Sequence, residues 1–230
     1  MVKKVVIISL GGSLIIPDSI NVEFLKEFKK TIKKNSNKFK FVIVCGGGSI
    51  ARKYINALKE IGISEKLQSM SGISATRMNA RFMTYFFGED ASQGIPHDMK
   101  QVKNLLLKND IIFCGALRYA EKQTSDSTSA KLANYLDTIF INMTNVPGLF
   151  NKNPLKYKDA KFIPEISWKE IDNMINRQKY HPGQHFVLDQ TASKIIMKNK
   201  ITTYIIGDDL KQLDNLLNNK KFRGTIIKDN

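Results

Sequence analysis

The first residues able to do chemistry are glycines. Gly46-Gly47-Gly48-Ser49 follows an apolar run over 39–45, and a helical pattern over 50–58 places Ile50, Tyr54, Ile55 and Leu58 near one face. A strand, a glycine turn and a helix start make a place for an anion. Without Cβ atoms the backbone N–H groups can converge, and the helix N-terminus adds partial positive charge. Arg52 falls in the first turn, where a guanidinium can fork onto phosphate oxygens. The same residues also fit a tight turn whose glycines merely pack, and this motif alone leaves both readings open. A second turn, Gly11-Gly12-Ser13, ends an apolar run over 3–10. Thr124-Ser125-Asp126-Ser127 carries the hydroxyls and carboxylate that cap a helix over 128–136. His181-Pro182-Gly183-Gln184-His185 offers two imidazoles with no third ligand, so it reads as a polar loop and no metal site is expected. Cys45 and Cys114 sit in apolar runs and read as buried thiols, neither disulfide nor ligand.

The elements that must position these residues alternate. Strands are expected over 3–10, 39–45, 110–114, 137–143 and 202–206. Helices are expected over 22–34, 50–58, 73–87, 97–108, 128–136, 167–176 and 193–198. Strands alternating with helices predict an α/β fold, with a mostly parallel sheet covered on both faces. Gly11, Gly46, Gly115 and Gly207 each end a strand, and in open α/β sheets ligands bind outside those carboxyl ends. One crevice with two phosphate-friendly lobes follows, which favours phosphoryl chemistry. In the long helix, Met78, Phe82, Met83 and Phe86 read as core, and Ser64 reads as a cap of the short stretch after Ile61-Gly62. Arg77 and Arg81, one turn apart, are either solvated or aimed at the anion.

Composition narrows the partners. A chain of 230 residues, 42% hydrophobic, can build a sizeable core, and disorder is excluded as a class. The net charge of +15 admits nucleic acid, a membrane surface or an acidic small substrate. The lysines are spread over 26–40, 152–161, 194–200 and 211–228, without an aromatic-interleaved basic motif, so nucleic acid is not the expected partner. They read as solvated surface with a general attraction for anions. No apolar run approaches a membrane span, no signal-peptide pattern precedes the first strand, and a cytoplasmic protein is expected.

Taken in order, Leu10-Gly11-Gly12-Ser13, residues 46–54, Gly72-Ile73-Ser74-Ala75-Thr76-Arg77-Met78-Asn79-Ala80, Thr124-Ser125-Asp126, Thr144-Asn145-Val146-x-Gly148 and Leu188-Asp189-x-x-Ala192-x-Lys194 resemble the amino-acid-kinase family, and within it the archaeal uridylate (UMP) kinases. The resemblance implies a three-layer αβα sandwich. It forms one domain, with acceptor binding in about residues 1–140 and ATP binding in about 141–230. It implies transfer of a phosphoryl group from ATP, with Mg²⁺, to UMP. Gly11, Gly12 and Ser13 would cradle the transferring group. Gly46, Gly47, Gly48 and Arg52 would hold the acceptor phosphate, with Thr124, Ser125 and Ser69 on the acceptor side. Asp126 would orient a catalytic lysine, Lys194 would neutralise charge at the ATP phosphates, and Thr144, Asn145, Gly148, Leu149 and Phe150 would border the ATP nucleotide. A homohexamer built from dimers is implied too. The chain departs from the family pattern in five places. Ser9 stands where a lysine is common and Ser69 where an aspartate is common. The loop 115–123 lacks its Pro-Gly, Pro147 replaces an aspartate, and Gln190 a proline. Arg118 and Lys122 are candidate replacement cations. Within the family an isopentenyl phosphate kinase would carry a histidine where Arg52 stands, and a non-catalytic binder is the rival from another class.

Overall fold

The computed structural model describes residues 3–119, 124–152, 154, 157–176 and 187–229. In chain order the elements are β1 (Lys4–Leu10), α1 (Gly12–Ile15), α2 (Val22–Asn35), β2 (Phe39–Cys45), α3 (Gly48–Glu60), α4 (Glu65–Phe87), α5 (Met99–Leu106), β3 (Ile111–Cys114), α6 (Ser125–Tyr135), β4 (Phe140–Met143), β5 (Leu149–Phe150), β6 (Phe162–Ile163), β7 (Glu165–Ile166), α7 (Trp168–Asn176), α8 (Gln190–Asn199), β8 (Thr203–Ile206), α9 (Leu210–Leu217) and β9 (Thr225–Ile227). Seven strands form one sheet in the order β3-β2-β1-β4-β8-β9-β7. All neighbours in it are parallel except β8 and β9. β5 and β6 make a separate antiparallel pair.

The strands are apolar on both faces because helices cover both. Along β1 and β2 alternate side chains enter opposite cores. Val6, Ile8, Leu10, Phe41 and Ile43 meet α2, α4 and α9 through Leu25, Phe28, Met83, Phe87 and Leu213. Ile7, Val42 and Val44 meet α5, α6, α7 and α8 through Val102, Leu132, Ile171 and Ile196. The result is the expected α/β architecture, helices on both sides of a mostly parallel sheet. Cys45 and Cys114 point into different cores. Burial pushes the Cys114 thiol up to about 12 and Cys45 well above its usual range, so both are inert packing groups.

Several elements differ from the sequence expectation. The helix expected over 73–87 begins at Glu65. Gly72 does not interrupt it, because α3 packs there and Ile55 fills the space beside the glycine. Ser64 is the N-cap residue but makes no side-chain cap. The buried stripe of α4 is Ala75, Thr76, Asn79, Ala80, Met83 and Phe87, and Met78 lies off it, 61% exposed. Tyr54 on α3 likewise faces outward. The strand expected over 137–143 starts only at Phe140, since Asp137 takes a left-handed conformation that turns the chain. Strands β5, β6, β7 and β9 are too short to leave a periodic signal.

Candidate functional site

β1 and β2 pair in register, Leu10 opposite Cys45, so both glycine turns leave the sheet at the same height. The chain order changes direction across β1, with β2 on one side and β4 on the other. The first turn therefore stands at the topological switch point. The turns touch backbone to backbone. A Cβ on Gly12 would lie 2.0 Å from the Gly48 nitrogen, and one on Gly46 would lie 2.3 Å from the Gly12 nitrogen. The Gly46 N–H donates to the Leu10 carbonyl at 2.9 Å, and the Gly46 carbonyl accepts from Asn79 Nδ2 at 2.7 Å. Gly48 has φ of 63°, which supplies the left-handed step into α3.

Helices α2, α5, α6, α8 and α9 each start with a side chain accepting a first-turn N–H. Helices α1 and α3 start at Gly11 and Gly47 with no side-chain cap. Helix starts without such a cap leave backbone donors and the dipole's positive end for an outside anion. At the start of α3, Ser49 is 3% exposed and its hydroxyl has no partner among the described residues. Nothing in the sequence pattern singled Ser49 out. Arg52 follows one turn on, and its Nη2 donates to the Pro17 carbonyl at 3.1 Å, tying α3 to the loop before α2. Ser69 is half-buried near the start of α4.

On the other core face two carboxylates organise the starts of α6 and α8. Asp189 caps α8 by accepting from the Ala192 N–H at 2.7 Å. It also accepts from Thr124 Oγ1 at 2.6 Å, Ser127 Oγ at 2.6 Å and the Ser127 N–H at 3.1 Å. One buried carboxylate thus holds two helix N-termini together. Asp126 accepts from Ser9 Oγ at 2.7 Å, which places it beside the last residues of β1. Burial and the neighbouring Asp189 push the Asp126 carboxyl up to about 7, against the Ser9 hydroxyl, which lowers it. The hydroxyl of Ser9 therefore occupies the side chain of Asp126 where the family resemblance implied a lysine.

The loop after β3 is fastened to α4. Arg77 donates to the carbonyls of Ala116 at 3.1 Å and Leu117 at 2.8 Å, and Thr76 Oγ1 accepts from the Ala116 N–H at 3.0 Å. Arg77 is thus a loop clamp. Arg118 is exposed and lies 3.9 Å from Asp98. Thr144 and Asn145 follow β4, and the Thr144 N–H donates to the Ile206 carbonyl at 3.0 Å. Gly148 fits against Phe162 and Thr225, and Leu149 is fully buried, so both are packed into the fold. Phe150 stays half-buried, edge-on to Phe162.

Lys194 is exposed on α8 and lines a groove with Asn134 and Tyr135 of α6. The residues of α8 that face inward are Ala192, Ser193 and Ile196, and Ser193 Oγ donates to buried Asp172 at 2.7 Å. Lys194 sits about 100° around the axis from buried Ser193, which accounts for its exposure. Lys122 and the His181 and His185 loop lie outside the described residues. Among the described residues no group of three or more His, Cys, Asp or Glu could hold a metal ion. No described helix is long and apolar enough to cross a membrane.

Comparison with known proteins gives a consistent result. The family model described as "Amino acid kinase family" matches residues 4–207. The chain is 34% identical to the uridylate kinase of Thermoplasma volcanium over 226 residues, covering 97% of each chain. It is 33% identical to that of Methanococcus aeolicus over 225 residues, covering 96% of this chain and 98% of the relative. The crystal structure of the uridylate kinase from Archaeoglobus fulgidus superposes with a TM-score of 0.84 at 30% identity, over 96% of this chain and 99% of that one.

Proposed function

The chain belongs to the amino acid kinase family, and from that premise we propose that it is a uridylate kinase, transferring the γ-phosphoryl group of ATP to UMP. The observation that carries the reading is the pair of uncapped glycine turns in backbone contact at the switch point. Phosphoryl transfer needs two phosphates brought end to end, in line, with fixed donors around the transferring group. Two adjoining anion cradles meet that requirement without a nucleophile.

In this reading Gly46, Gly47, Gly48 and Arg52 hold the UMP phosphate. Ser69, Thr124 and Ser125 stand on the same acceptor side. Gly11, Gly12 and Ser13 cradle the transferring phosphoryl group, and Thr144, Asn145 and Phe150 border ATP. Residues 1–140 then serve mainly the acceptor and 141–230 mainly ATP. Mg²⁺ carried on the ATP phosphates would supply charge neutralisation. The donor set fits a metal brought by its substrate, because Asp189 is already engaged by several donors while Asp126 accepts only the Ser9 hydroxyl among the bonds described. Asp126 is the carboxylate of this chain that would meet it. Self-association, with a hexamer as its expected form, is supported by apolar side chains left exposed on or beside α3 and α4, namely Tyr54, Ile61, Leu67, Met70, Met78 and Tyr85. The cytoplasm is the expected compartment.

The test is an acceptor panel at fixed ATP and Mg²⁺, with UMP, CMP, dUMP, AMP and isopentenyl phosphate in parallel. The reading expects UMP to have the highest kcat/KM. Preference for another acceptor corrects the substrate, and nucleotide binding without turnover of any acceptor overturns the enzyme.

A further inference from the structure

The chain leaving β3 has backbone to satisfy and no further strand to satisfy it, because β3 is the outermost strand of the sheet. Ala116 and Leu117 are nevertheless buried, and buried carbonyls need donors. Helix α4 supplies them. Arg77 spans the two successive carbonyls with Nε and Nη2, and the Thr76 hydroxyl accepts from the Ala116 N–H. Gly115 rests on the helix backbone itself: a Cβ there would come within 2.6 Å of the Arg77 nitrogen.

The same stretch of α4 also holds the turn at Gly46–Gly48. Asn79 Nδ2 donates to the Gly46 carbonyl, and Thr76 Cγ2 lies 3.6 Å from where a Cβ of Gly47 would stand. One threonine side chain therefore separates the loop from the turn, with its methyl towards Gly47 and its hydroxyl on Ala116. Among the described residues Arg77 has no carboxylate partner, so its fork is committed to the loop. Resting on the kinase reading above, we infer that Arg77 is a positioning residue for the acceptor: it fixes the loop after β3 at a set distance from the turn that holds the acceptor phosphate. A guanidinium suits this task because its planar donors can meet two carbonyls at once, which a compact ammonium does not do in one fixed geometry. Displacement of such a wall by about 1 Å is enough to disturb a bound substrate. Arg81, one turn further along α4, makes no hydrogen bond or ion pair among the described residues and serves as the control.

Steady-state kinetics with UMP and ATP each varied, beside hydrogen–deuterium exchange of the unliganded full chain, test this. Arg77→Met is expected to raise KM for UMP at least about tenfold, as the loss of charged hydrogen bonds implies, with KM for ATP within about twofold. Exchange over residues 115–119 should quicken while residues 46–50 keep the wild-type rate. Arg77→Lys keeps the charge without the fork, so KM for UMP should stay raised at least about threefold; it carries the same test if Arg77→Met does not fold. Arg81→Met should change neither readout. Wild-type KM in Arg77→Lys, or an equal rise in Arg81→Met, would show that charge alone matters and overturns the inference. Equal rises in both KM values with a matching fall in kcat would mark a general loosening of the fold and overturn it too. A wild type that turns over no acceptor overturns the kinase reading and this inference with it. An active wild type beside an Arg77→Met variant of unchanged UMP KM, or of unchanged loop exchange, overturns this inference alone.

Discussion

Replacing Gly12 by alanine puts one methyl group between the two glycine turns. Its carbon would lie 2.0 Å from the Gly48 nitrogen and 2.7 Å from both the Gly46 carbonyl carbon and the Gly48 Cα. Every one of these neighbours is backbone, so no side chain can swing away. Ordinary van der Waals contact begins at 3.4 Å, and the turns must therefore part by about 1.4 Å, the difference from 2.0 Å. Misplacement of reacting groups by about 1 Å costs on the order of a hundredfold in rate. Gly12→Ala is accordingly expected to lower kcat/KM for UMP by about a hundredfold or more, roughly 3 kcal/mol of transition-state stabilisation. Overpacking at such a contact also costs about 1–3 kcal/mol of stability, or a Tm lower by several degrees. The assay is steady-state kinetics with thermal unfolding on the same preparation, run beside Gly72→Ala. At Gly72 the new methyl meets only the end of Ile55 at 3.1 Å, within a helix, so its Tm should hold or rise. A Gly12→Ala enzyme with wild-type kcat/KM would refute the reading of the two turns as adjoining phosphate cradles.

Asp126 carries a pH signature. Its folded value of about 7 stands above the ordinary aspartate value of 3.8, so between those values the folded state holds a proton that the unfolded chain has released. Stability should therefore fall as pH rises through that window, as a contribution of the Asp126–Asp189 pair, and Asp126→Asn should flatten the slope; Tm between pH 4.5 and 8 checks it, and parallel curves for the two proteins would contradict it. Arg52→Ala removes a charged donor from the acceptor side and should raise KM for UMP about tenfold or more with a smaller change in kcat; an unchanged KM would show that Arg52 serves only the Pro17 carbonyl. Lys194→Ala, exposed on α8, should alter kcat by less than about threefold; a hundredfold fall would put this lysine at the ATP phosphates.

The architecture was legible because its signals are local. Residues 39–45 and 3–10 are apolar on both faces and end in glycine, which marks parallel strands, turns and their carboxyl ends without any knowledge of partners. The contact between Gly12 and Gly48 was not legible, since it joins residues 36 positions apart and depends on the register of β1 and β2. Asp189 illustrates the same limit: as a sequence feature it is a helix cap, and its bonds to Thr124 and Ser127 span more than 60 residues. Ser9 could be seen to replace a lysine, but not to spend its hydroxyl on Asp126. The exposure of Lys194 was not legible either, because spacing along a helix says which residues share a face, whereas the packing of α8 on α6 decides which face is covered. Met78 failed for a related reason: the periodic pattern of α4 fits two neighbouring stripes, and only the one through Asn79 and Met83 is buried.

The central claim is that a phosphoryl group passes between two anions held at the adjoining glycine turns. Phosphorus-31 NMR of the purified protein with ATP, Mg²⁺ and UMP observes that transfer directly. The account predicts equal growth of the β-phosphorus signals of UDP and ADP at the expense of ATP, with no inorganic phosphate released, and a rate cut about a hundredfold in Gly12→Ala. ATP left intact in the presence of UMP, or consumed to ADP and free phosphate without UDP, would contradict it.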